Sequence, residues 1–241
     1  MVLFISPPFG NYLNLPKTLS IRGSFTLNPR PGKWSQIIKT LRYDFTNSCW
    51  VNKIGLRNPG IDWAINNYKK GEIISIAILD KSEINQLLKK VPKNIDIEIN
   101  LSCPNTEHEM NRLGIEQFIS NERDYCIVKL SPLDTIETVT NLYNLGFRQF
   151  HCSNTLPTNK IPNSKYNGGM SGKVLIPYTS KLVGEINKKY DDVEIIAGGG
   201  ITNFEILNRY KYLGATSFSI SSLCFHPIKF LKLYYNWIVN D

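Results

Sequence analysis

The chain contains no apolar run long enough to cross a membrane. Its longest hydrophobic stretches, such as Ile73 to Leu79, have the length of a β-strand, whereas a membrane-spanning helix needs about 20 apolar residues. The opening segment Met1 to Pro8 is too short for a signal peptide and lacks the basic flank of one. These absences predict a cytoplasmic protein with no membrane partner.

Cysteine is scarce and has no recognisable spacing. The chain has five cysteines, an odd number, and no two of them form a CxxC pair. Neither a disulfide framework nor a zinc cluster is therefore indicated, and we expect no metal site. Most of these side chains are expected to be small buried fillers. They are Cys49, Cys103, Cys126, Cys152 and Cys224.

Internal repeats, biased tracts and the Walker and GxGxxG motifs are also missing, which leaves nucleoside triphosphate binding and a Rossmann domain without support. A hydrophobic share of 42% with 20% charged residues is typical of a globular protein, and 241 residues suit a single domain, 1–241. The net charge of +8 favours an anionic partner, such as a carboxylate substrate, a phosphate-bearing cofactor or a nucleic acid. Because the basic residues are scattered singly or in pairs at predicted helix ends, we do not expect nucleic acid to be the partner.

Strand-like and helix-like segments alternate from residue 72 onward. Each pair occupies about 25 to 30 residues, the period of βαβ units, which indicates a parallel sheet. With two candidates upstream there are eight strands, which predict a closed (β/α)8 TIM barrel of the α/β class; periodicity alone also allows an open doubly wound sheet. The strand candidates are Leu3 to Ser6, Ser20 to Thr26, Ile73 to Leu79, Asp96 to Leu101, Tyr125 to Leu130, Phe147 to Cys152, Val193 to Ala197 and Thr216 to Ile220. The helix candidates are Pro59 to Lys70, Lys81 to Val91, Ile115 to Glu122, Asp134 to Leu145, Thr179 to Lys189, Asn203 to Tyr212 and Pro227 to Val239.

Two segments depart from the alternation. Only about a dozen residues separate Phe9 from Ile21, which leaves little room for a helix and predicts a shortened first βα unit. The segment Arg30 to Asn52 is rich in Pro, Trp and Tyr and predicts a hairpin-like insertion near the barrel mouth.

Polar residues stand where several predicted strands end. In a barrel, the carboxyl ends of the strands carry the active groups, so these residues are expected to line one cavity. Several converging asparagine amides can match the N–H and C=O edge of a pyrimidine-like ring together with a carboxylate. For any single asparagine, a turn-forming or capping role is the ordinary alternative. The polar residues are Asn52, Asn100 to Asn105, Lys129 and Ser153 to Thr155.

Two of these residues carry reactive or charged groups. Cys103 lies in a proline-bounded loop, where its thiol can reach solvent and act as a general base beside a cation such as Lys129. Lys129 ends an otherwise apolar strand, and a lysine is costly to bury without a partner, which favours a flavin contact. The alternatives are an inert cysteine and a lysine whose ammonium group extends to solvent.

The run Ile195 to Thr202 joins a predicted strand to a helix through three consecutive glycines. Glycines at such a junction let backbone N–H groups approach a phosphate, and this is the usual phosphate position in the fold. Ser221 and Ser222 follow the next strand and could complete the site. Gly168 to Gly172 form a second loop whose backbone can approach a ligand closely. A glycine turn without a ligand is the alternative.

These motifs resemble those of the dihydroorotate dehydrogenases, in family order and across nearly the whole chain. The most specific is Asn100 to Asn105. The others are Thr26 to Gly32, Asn52 to Gly60, Val128 to Pro132, Ser153 to Thr155, Gly168 to Gly172, Ala197 to Ile201 and Gly214-Ala215.

The resemblance implies oxidation of dihydroorotate to orotate with FMN as cofactor, in pyrimidine biosynthesis. Cys103 would remove a proton while the adjacent ring carbon delivers hydride to the flavin. A cysteine base and no membrane-binding helices are similar to the soluble branch of the family, for which a homodimer is possible. The implied substrate-binding residues are Asn52, Gly55, Leu56, Asn100, Asn105, Asn154 and Thr155. The implied FMN-binding residues are Ser24, Asn100, Lys129, Ser153, Gly172, Gly199, Gly200, Ser221 and Ser222. The electron acceptor stays open between fumarate and NAD, the latter through a separate electron-transfer partner.

Departures from the family pattern, the shortened first βα unit among them, suggest other functions. Gly23 stands where the family's second strand presents a lysine, and the neighbouring Arg22 is expected to face the other way. Ser221 replaces a customary glycine. A degenerate barrel that binds flavin or another ligand without turnover is therefore one alternative, and a flavin-dependent dihydrouridine synthase acting on RNA, motivated by the positive charge, is another.

Overall fold

Eight parallel strands close into a barrel in the computed structural model, which describes residues 1–101, 114–161 and 164–240. In chain order, the strands are β1 (Leu3–Ile5), β2 (Thr18–Phe25), β3 (Arg42–Asp44), β4 (Cys49–Asn52), β5 (Glu72–Ala77), β6 (Ile97–Asn100), β7 (Cys126–Leu130), β8 (Gln149–Cys152), β9 (Leu156–Pro157), β10 (Gly169–Gly172), β11 (Glu194–Gly198) and β12 (Ser217–Ile220). The barrel has the order β1-β12-β11-β8-β7-β6-β5-β2, and β1 also pairs with β2. All eight predicted strands are present, which confirms the (β/α)8 barrel and excludes the open sheet.

The other four strands form a small sheet in the order β3-β4-β10-β9. Its central pair is antiparallel, with Gly169 opposite Asn52 and Gly172 opposite Cys49. Strand β9 begins four residues after β8 ends, so the small sheet is tied to the carboxyl end of the barrel. This is the end at which the predicted site residues lie.

The helices of the described residues are α1 (Lys33–Thr40), α2 (Ile61–Asn66), α3 (Ile84–Lys90), α4 (Ile136–Asn144), α5 (Ile176–Lys189), α6 (Phe204–Tyr212) and α7 (Pro227–Asn240). The predicted insertion contains the β3–β4 hairpin and also helix α1, which the alternation did not predict. The predicted helix Ile115 to Glu122 is instead a single 3-10 turn, Ile115–Phe118. Only a 3-10 turn, Phe9–Asn11, separates β1 from β2. Within the described ranges, no helix is long and apolar enough to span a bilayer.

The barrel has two apolar layers because both faces of each strand are covered. Outward-facing side chains pack against the helices in the large core. Inside the barrel, a separate cluster fills the lower part, and it consists of Phe4, Ile21, Ile73, Ile127 and Ile196. The side chains above this cluster are polar.

Gly184 offers a test of the helix layer. It lies inside α5, and a Cβ there would be 4.0 Å from Leu213 Cδ2, which is ordinary contact. We expect Gly184→Ala to raise the free energy of unfolding by about 0.5–1 kcal/mol, because alanine loses less backbone entropy in a helix. Gly214→Ala is the contrasting control, since its φ is +107° and its Cβ would overlap the Asn187 side chain. Urea unfolding of both variants measures their changes in stability. A loss of stability in Gly184→Ala would contradict the packing of α5 beside Leu213.

Candidate active site at the barrel mouth

A polar layer crosses the upper part of the barrel on adjacent strands. The strand register places Asn100 beside Lys129 and Lys129 beside His151, and it places Ser75 beside Glu98 one level below. Alternate residues of a strand face the same side, so these side chains share the barrel interior above the apolar cluster. Four neighbouring strands thus contribute to one polar site.

Glu98 is the centre of this layer and is completely buried. Its Oε1 accepts a hydrogen bond from Ser75 Oγ at 2.7 Å and lies 3.6 Å from Lys129 Nζ. Its Oε2 lies 2.6 Å from His151 Nδ1. A buried carboxylate is costly unless it is paired and hydrogen-bonded, and Glu98 has such partners from β5, β7 and β8.

The protonation states follow from these contacts. Burial alone would raise the pKa of Glu98, but the electrostatic interactions with Lys129 and then His151, and the hydrogen bonds from His151 and Ser75, outweigh burial and lower this pKa to about 2. Burial, and then the charge of Lys129, lower the pKa of His151 below its usual 6.5 despite the adjacent carboxylate. At neutral pH Glu98 is therefore an anion, and a neutral His151 donates its Nδ1–H to it.

A chain of hydrogen bonds leads from Ser75 to the mouth. Ser24 Oγ is 2.8 Å from Ser75 Oγ, and Asn100 Nδ2 donates to Ser24 Oγ at 3.0 Å. Asn154 Nδ2 then donates to Asn100 Oδ1 at 3.1 Å, and Asn154 Oδ1 accepts from the Thr155 backbone N–H at 2.8 Å. The structure therefore brings together Ser24, Asn100, Lys129, Asn154 and Thr155, five of the residues that the sequence proposes for the site.

Asn52 reaches this group through the small sheet. It pairs with Gly169, and a Cβ on Gly169 would lie 2.4 Å from Thr155 Oγ1. A side chain at position 169 would therefore collide with Thr155. Glycine at this position lets strand β10, and with it Asn52, lie against the end of β8.

The glycines of the predicted phosphate site also meet. Gly172, Gly199 and Gly200 all have positive φ, at +140°, +93° and +76°, and a Cβ on Gly200 would lie 3.2 Å from the carbonyl oxygen of Gly172. A Cβ on Gly199 or Gly200 would also come within 2.8 Å of Leu175 or Ile176 side-chain atoms. The glycine turn is therefore required by packing against the start of α5, whatever ligand it holds.

The predicted serines lie around the same loops. Ser153 is buried, with its backbone N–H donating to Gly198 O and its hydroxyl 3.2 Å from Thr179 Oγ1. Ser221 donates its hydroxyl to Pro7 O at 2.6 Å, so this side chain ties the loop after β12 to the loop after β1. Ser222 begins the following 3-10 turn and is half-buried.

Four predicted site residues are not joined to this group. Cys103 and Asn105 lie outside the described residues. Gly55 and Leu56 follow β4 in a left-handed turn with φ of +69° and +54°. The Leu56 carbonyl oxygen accepts from Asn58 Nδ2, which also donates to Thr26 Oγ1, so this turn is tied to the carboxyl end of β2 rather than to the polar group.

Sequence reasoning missed three residues of the polar layer: Ser75, Glu98 and His151. Each lies inside a strand that is otherwise apolar, and each is buried. A glutamate or histidine at an alternate position of a buried strand must have a partner, so this pattern is the signal that could have identified them.

Gly23 leaves the β2 wall without a side chain. Its φ is +120°, and a Cβ would lie 2.6 Å from Ser75 O and 2.9 Å from Phe25 Cδ2, so this backbone has no room for a larger residue. Arg22 points outward, where its Nη1 contacts Glu72 Oε2 at 2.8 Å and its guanidinium lies over the Trp63 ring. The expected orientation of Arg22 is confirmed.

The four cysteines in the described residues are free thiols, and burial raises the pKa of each. The pKa reaches about 11 for Cys49 and Cys126 and about 12 for Cys224, and it is also raised for Cys152. These thiols are therefore poor bases and nucleophiles at neutral pH. No metal-binding group of His, Cys, Asp or Glu is found within the part of the chain that the structure describes.

The lowered pKa of His151 makes stability depend on pH. Below pH 6.5 the unfolded chain binds a proton at this histidine that the folded chain does not bind, so the folded state loses relative stability as pH falls. We expect the free energy of unfolding to fall by up to about 1.4 kcal/mol per pH unit for this one proton. The contribution of Glu98 is lost only at lower pH, between the usual 4.5 and about 2.

Urea unfolding between pH 7.5 and 5.5 measures this effect. His151→Asn keeps an N–H donor toward Glu98 but removes the titrating ring, so its slope should be flatter than that of the wild type. His226→Gln retains His151 and should retain the slope that His151 causes. Equal slopes in His151→Asn and the wild type would contradict the neutral, buried imidazole.

The fold and the site define the class of protein. It is an α/β barrel with a polar, hydrogen-bonded group at the carboxyl ends of its strands, where barrels of this type bind ligands. The family model for dihydroorotate dehydrogenase matches residues 11–228, and the chain belongs to this family.

Individual relatives agree with this family. The catalytic subunit of dihydroorotate dehydrogenase B (NAD(+)) from Petrotoga mobilis is 30% identical, over 83% of this chain and 74% of that protein. The protein of the same description from Thermotoga maritima is 24% identical, over 93% of this chain and 91% of its own length. Among solved structures, DHODH from Eimeria tenella in complex with ferulenol has a TM-score of 0.69 at 19% identity, covering 89% of this chain and 72% of that one, which supports the fold alone.

Proposed function

We propose that the protein catalyses the FMN-dependent oxidation of dihydroorotate to orotate, the oxidative step toward pyrimidines, in the cytoplasm. The observation that carries the proposal is the continuous hydrogen-bonded group from Glu98 to Thr155, because it brings the amides of Asn100 and Asn154 together beside Lys129 at the mouth of a barrel of this family.

The residues at the mouth fit an anionic, planar cofactor. The Lys129 ammonium is held at the mouth by Glu98, and the glycines at positions 172, 199 and 200 let two loops approach each other without side chains. The donor set suits FMN, which combines a phosphate with a polar ring edge. When bound, FMN would accept the hydride from the substrate. In this proposal Ser24, Asn100, Lys129 and Ser153 face the ring system, and Gly172, Gly199, Gly200, Ser221 and Ser222 hold the phosphate side.

The substrate would be held by amides and oriented toward a base. Asn52, Asn100, Asn105, Asn154 and Thr155, with the Gly55–Leu56 turn, would bind the ring and carboxylate of dihydroorotate. Cys103 would remove one proton from the ring carbon next to the carbon that loses hydride, and the resulting double bond gives orotate. The four described cysteines have raised pKa values, which leaves Cys103 as the candidate base.

The electron acceptor and partners follow by analogy. The names of the relatives from Petrotoga and Thermotoga specify NAD(+) and a catalytic subunit. We therefore favour NAD as the final acceptor, reached through a second, electron-transferring protein, over fumarate. A homodimer of this chain is compatible with either acceptor.

An absorption spectrum tests the proposed activity. Purified protein reconstituted with FMN should be yellow, and anaerobic addition of dihydroorotate should bleach the flavin band while orotate appears. A colourless protein after reconstitution excludes the proposal.

A second candidate, a barrel that binds flavin without turnover, is favoured by Gly23. Strand β2 presents no side chain to the barrel interior at Gly23, and Arg22 forms an ion pair with Glu72 on the outside of the barrel. If FMN binds but dihydroorotate causes no bleaching, this candidate replaces the first.

A further inference from the structure

Glu98 can only accept hydrogen bonds, and this property fixes the direction of every bond in the chain above it. An ionised carboxylate has no proton to donate, so the Ser75 hydroxyl must donate its one hydrogen to Glu98 Oε1. The Ser24 hydroxyl must then donate to Ser75 Oγ at 2.8 Å, because Ser75 has no second hydrogen.

The same reasoning orients both amides. With its hydrogen used, Ser24 Oγ can only accept, so Asn100 must turn Nδ2 toward it and Oδ1 away. Asn100 Oδ1 then requires a donor, and Asn154 turns Nδ2 toward it. This leaves Asn154 Oδ1 to accept from the Thr155 N–H. An amide flipped at either position would place two acceptors or two donors together.

We propose that Glu98 is a positioning residue: it holds the Ser75–Ser24 end of this series of hydrogen bonds in the direction that the Thr155 N–H requires at the other end, so that the amide of Asn100 faces one way and sets the donor and acceptor pattern that an orotate-type substrate meets. The proposal rests on the function proposed above. It assigns specificity to a residue that is completely buried and does not touch the substrate. Ser75 and Ser24 transmit the effect across strands β5 and β2.

The isosteric substitution Glu98→Gln removes this constraint. The introduced amide can keep its oxygen toward the His151 Nδ1–H and donate through its nitrogen to Ser75, which reverses the Ser75–Ser24 hydrogen bond. The Thr155 N–H still requires Asn154 Oδ1 as its acceptor, so the two directions conflict and one hydrogen bond between Ser24 and Asn154 is mismatched. We expect the dissociation constant for orotate to rise by about 10-fold, the effect of one misplaced hydrogen bond. If the effect of Glu98 passes through this series of hydrogen bonds, the effect must disappear once one of the bonds is removed.

The test is a double-mutant cycle on FMN-loaded protein, with orotate binding measured by calorimetry. Glu98→Gln is made in the wild type and in a Ser24→Ala background, where the chain is interrupted. We expect about a 10-fold loss in the first case and less than about 2-fold in the second. Glu194→Gln is the matched control. Glu194 also accepts a hydrogen bond from a serine, Ser217, but it is the first residue of β11 and lies at the amino end of the barrel strands, away from the mouth. Its substitution should leave orotate affinity unchanged.

The outcomes separate the two proposals. A wild type that binds no orotate ends the proposed function, and this inference with it. A wild type that binds orotate, with an equal effect of Glu98→Gln in both backgrounds, overturns only the inference. Should Glu98→Gln fail to fold, Ser75→Ala breaks the first link while leaving the carboxylate with Lys129 and His151. It should give the same loss, not additive with Ser24→Ala, and additive losses overturn the inference.

Discussion

Replacing Cys103 by alanine is expected to slow dihydroorotate-driven flavin reduction by about 10²- to 10⁴-fold, the usual contribution of a positioned general base. The reason is that burial raises the pKa of all four cysteines in the described ranges, so none of them supplies a thiolate at neutral pH in place of Cys103. The rate is measured by anaerobic stopped-flow absorbance of the flavin band. Binding of FMN and of orotate should persist, because alanine removes only the thiol.

Cys126→Ala is the control for this measurement. Cys126 lies at the start of β7, where its thiol contacts the carbonyl oxygen of Phe118 at 3.6 Å, away from the polar layer. Its substitution should keep the rate of the wild type. A Cys103→Ala variant that retains more than about a tenth of the rate would assign the base to another group.

Lys129→Met is expected to lower the free energy of unfolding by about 3 kcal/mol at pH 7.5, the cost of removing one member of a buried ion pair. Glu98 is completely buried, and Lys129 is the cation next to it, at 3.6 Å. Without this ammonium the carboxylate has only hydrogen-bond donors. Because the charge of Lys129 also contributes to the lowered pKa of His151, the variant should let His151 take up a proton more readily, and its loss of stability should shrink toward pH 6.

Combining Lys129→Met with Glu98→Gln separates the lost ion pair from lost packing. The double variant contains neither charge, so it should recover most of the stability lost in Lys129→Met alone when both are unfolded in urea. If the double variant is as unstable as the sum of the single variants, the two side chains do not interact across the 3.6 Å that separates them.

The strands could be predicted more accurately than the elements around them. Short runs such as the one predicted at Val193 to Ala197 are largely apolar because both faces of a barrel strand are covered, and this constraint is visible in the sequence. Helix α1 was not predicted, because the Pro, Trp and Tyr content of Arg30 to Asn52 suggested a hairpin. Its apolar residues Trp34, Ile37 and Ile38 do recur at helical spacing, although none of the residues of α1 is buried. The helix predicted at Ile115 to Glu122 is a 3-10 turn, which shows that a few apolar residues do not fix the length of an element.

What the sequence by itself determined is the barrel, the family and the set of polar strand ends, because alternation along the chain and local motifs are properties of neighbouring residues. Tertiary structure alone decided how those polar groups are connected. Ser24 and Asn100 are 76 residues apart, and Glu98 and His151 are 53 apart, yet they are in hydrogen-bond contact. Closing the barrel sets the strand register, and the register places one buried carboxylate beneath the asparagines and connects it to Asn100 through the hydroxyls of Ser75 and Ser24.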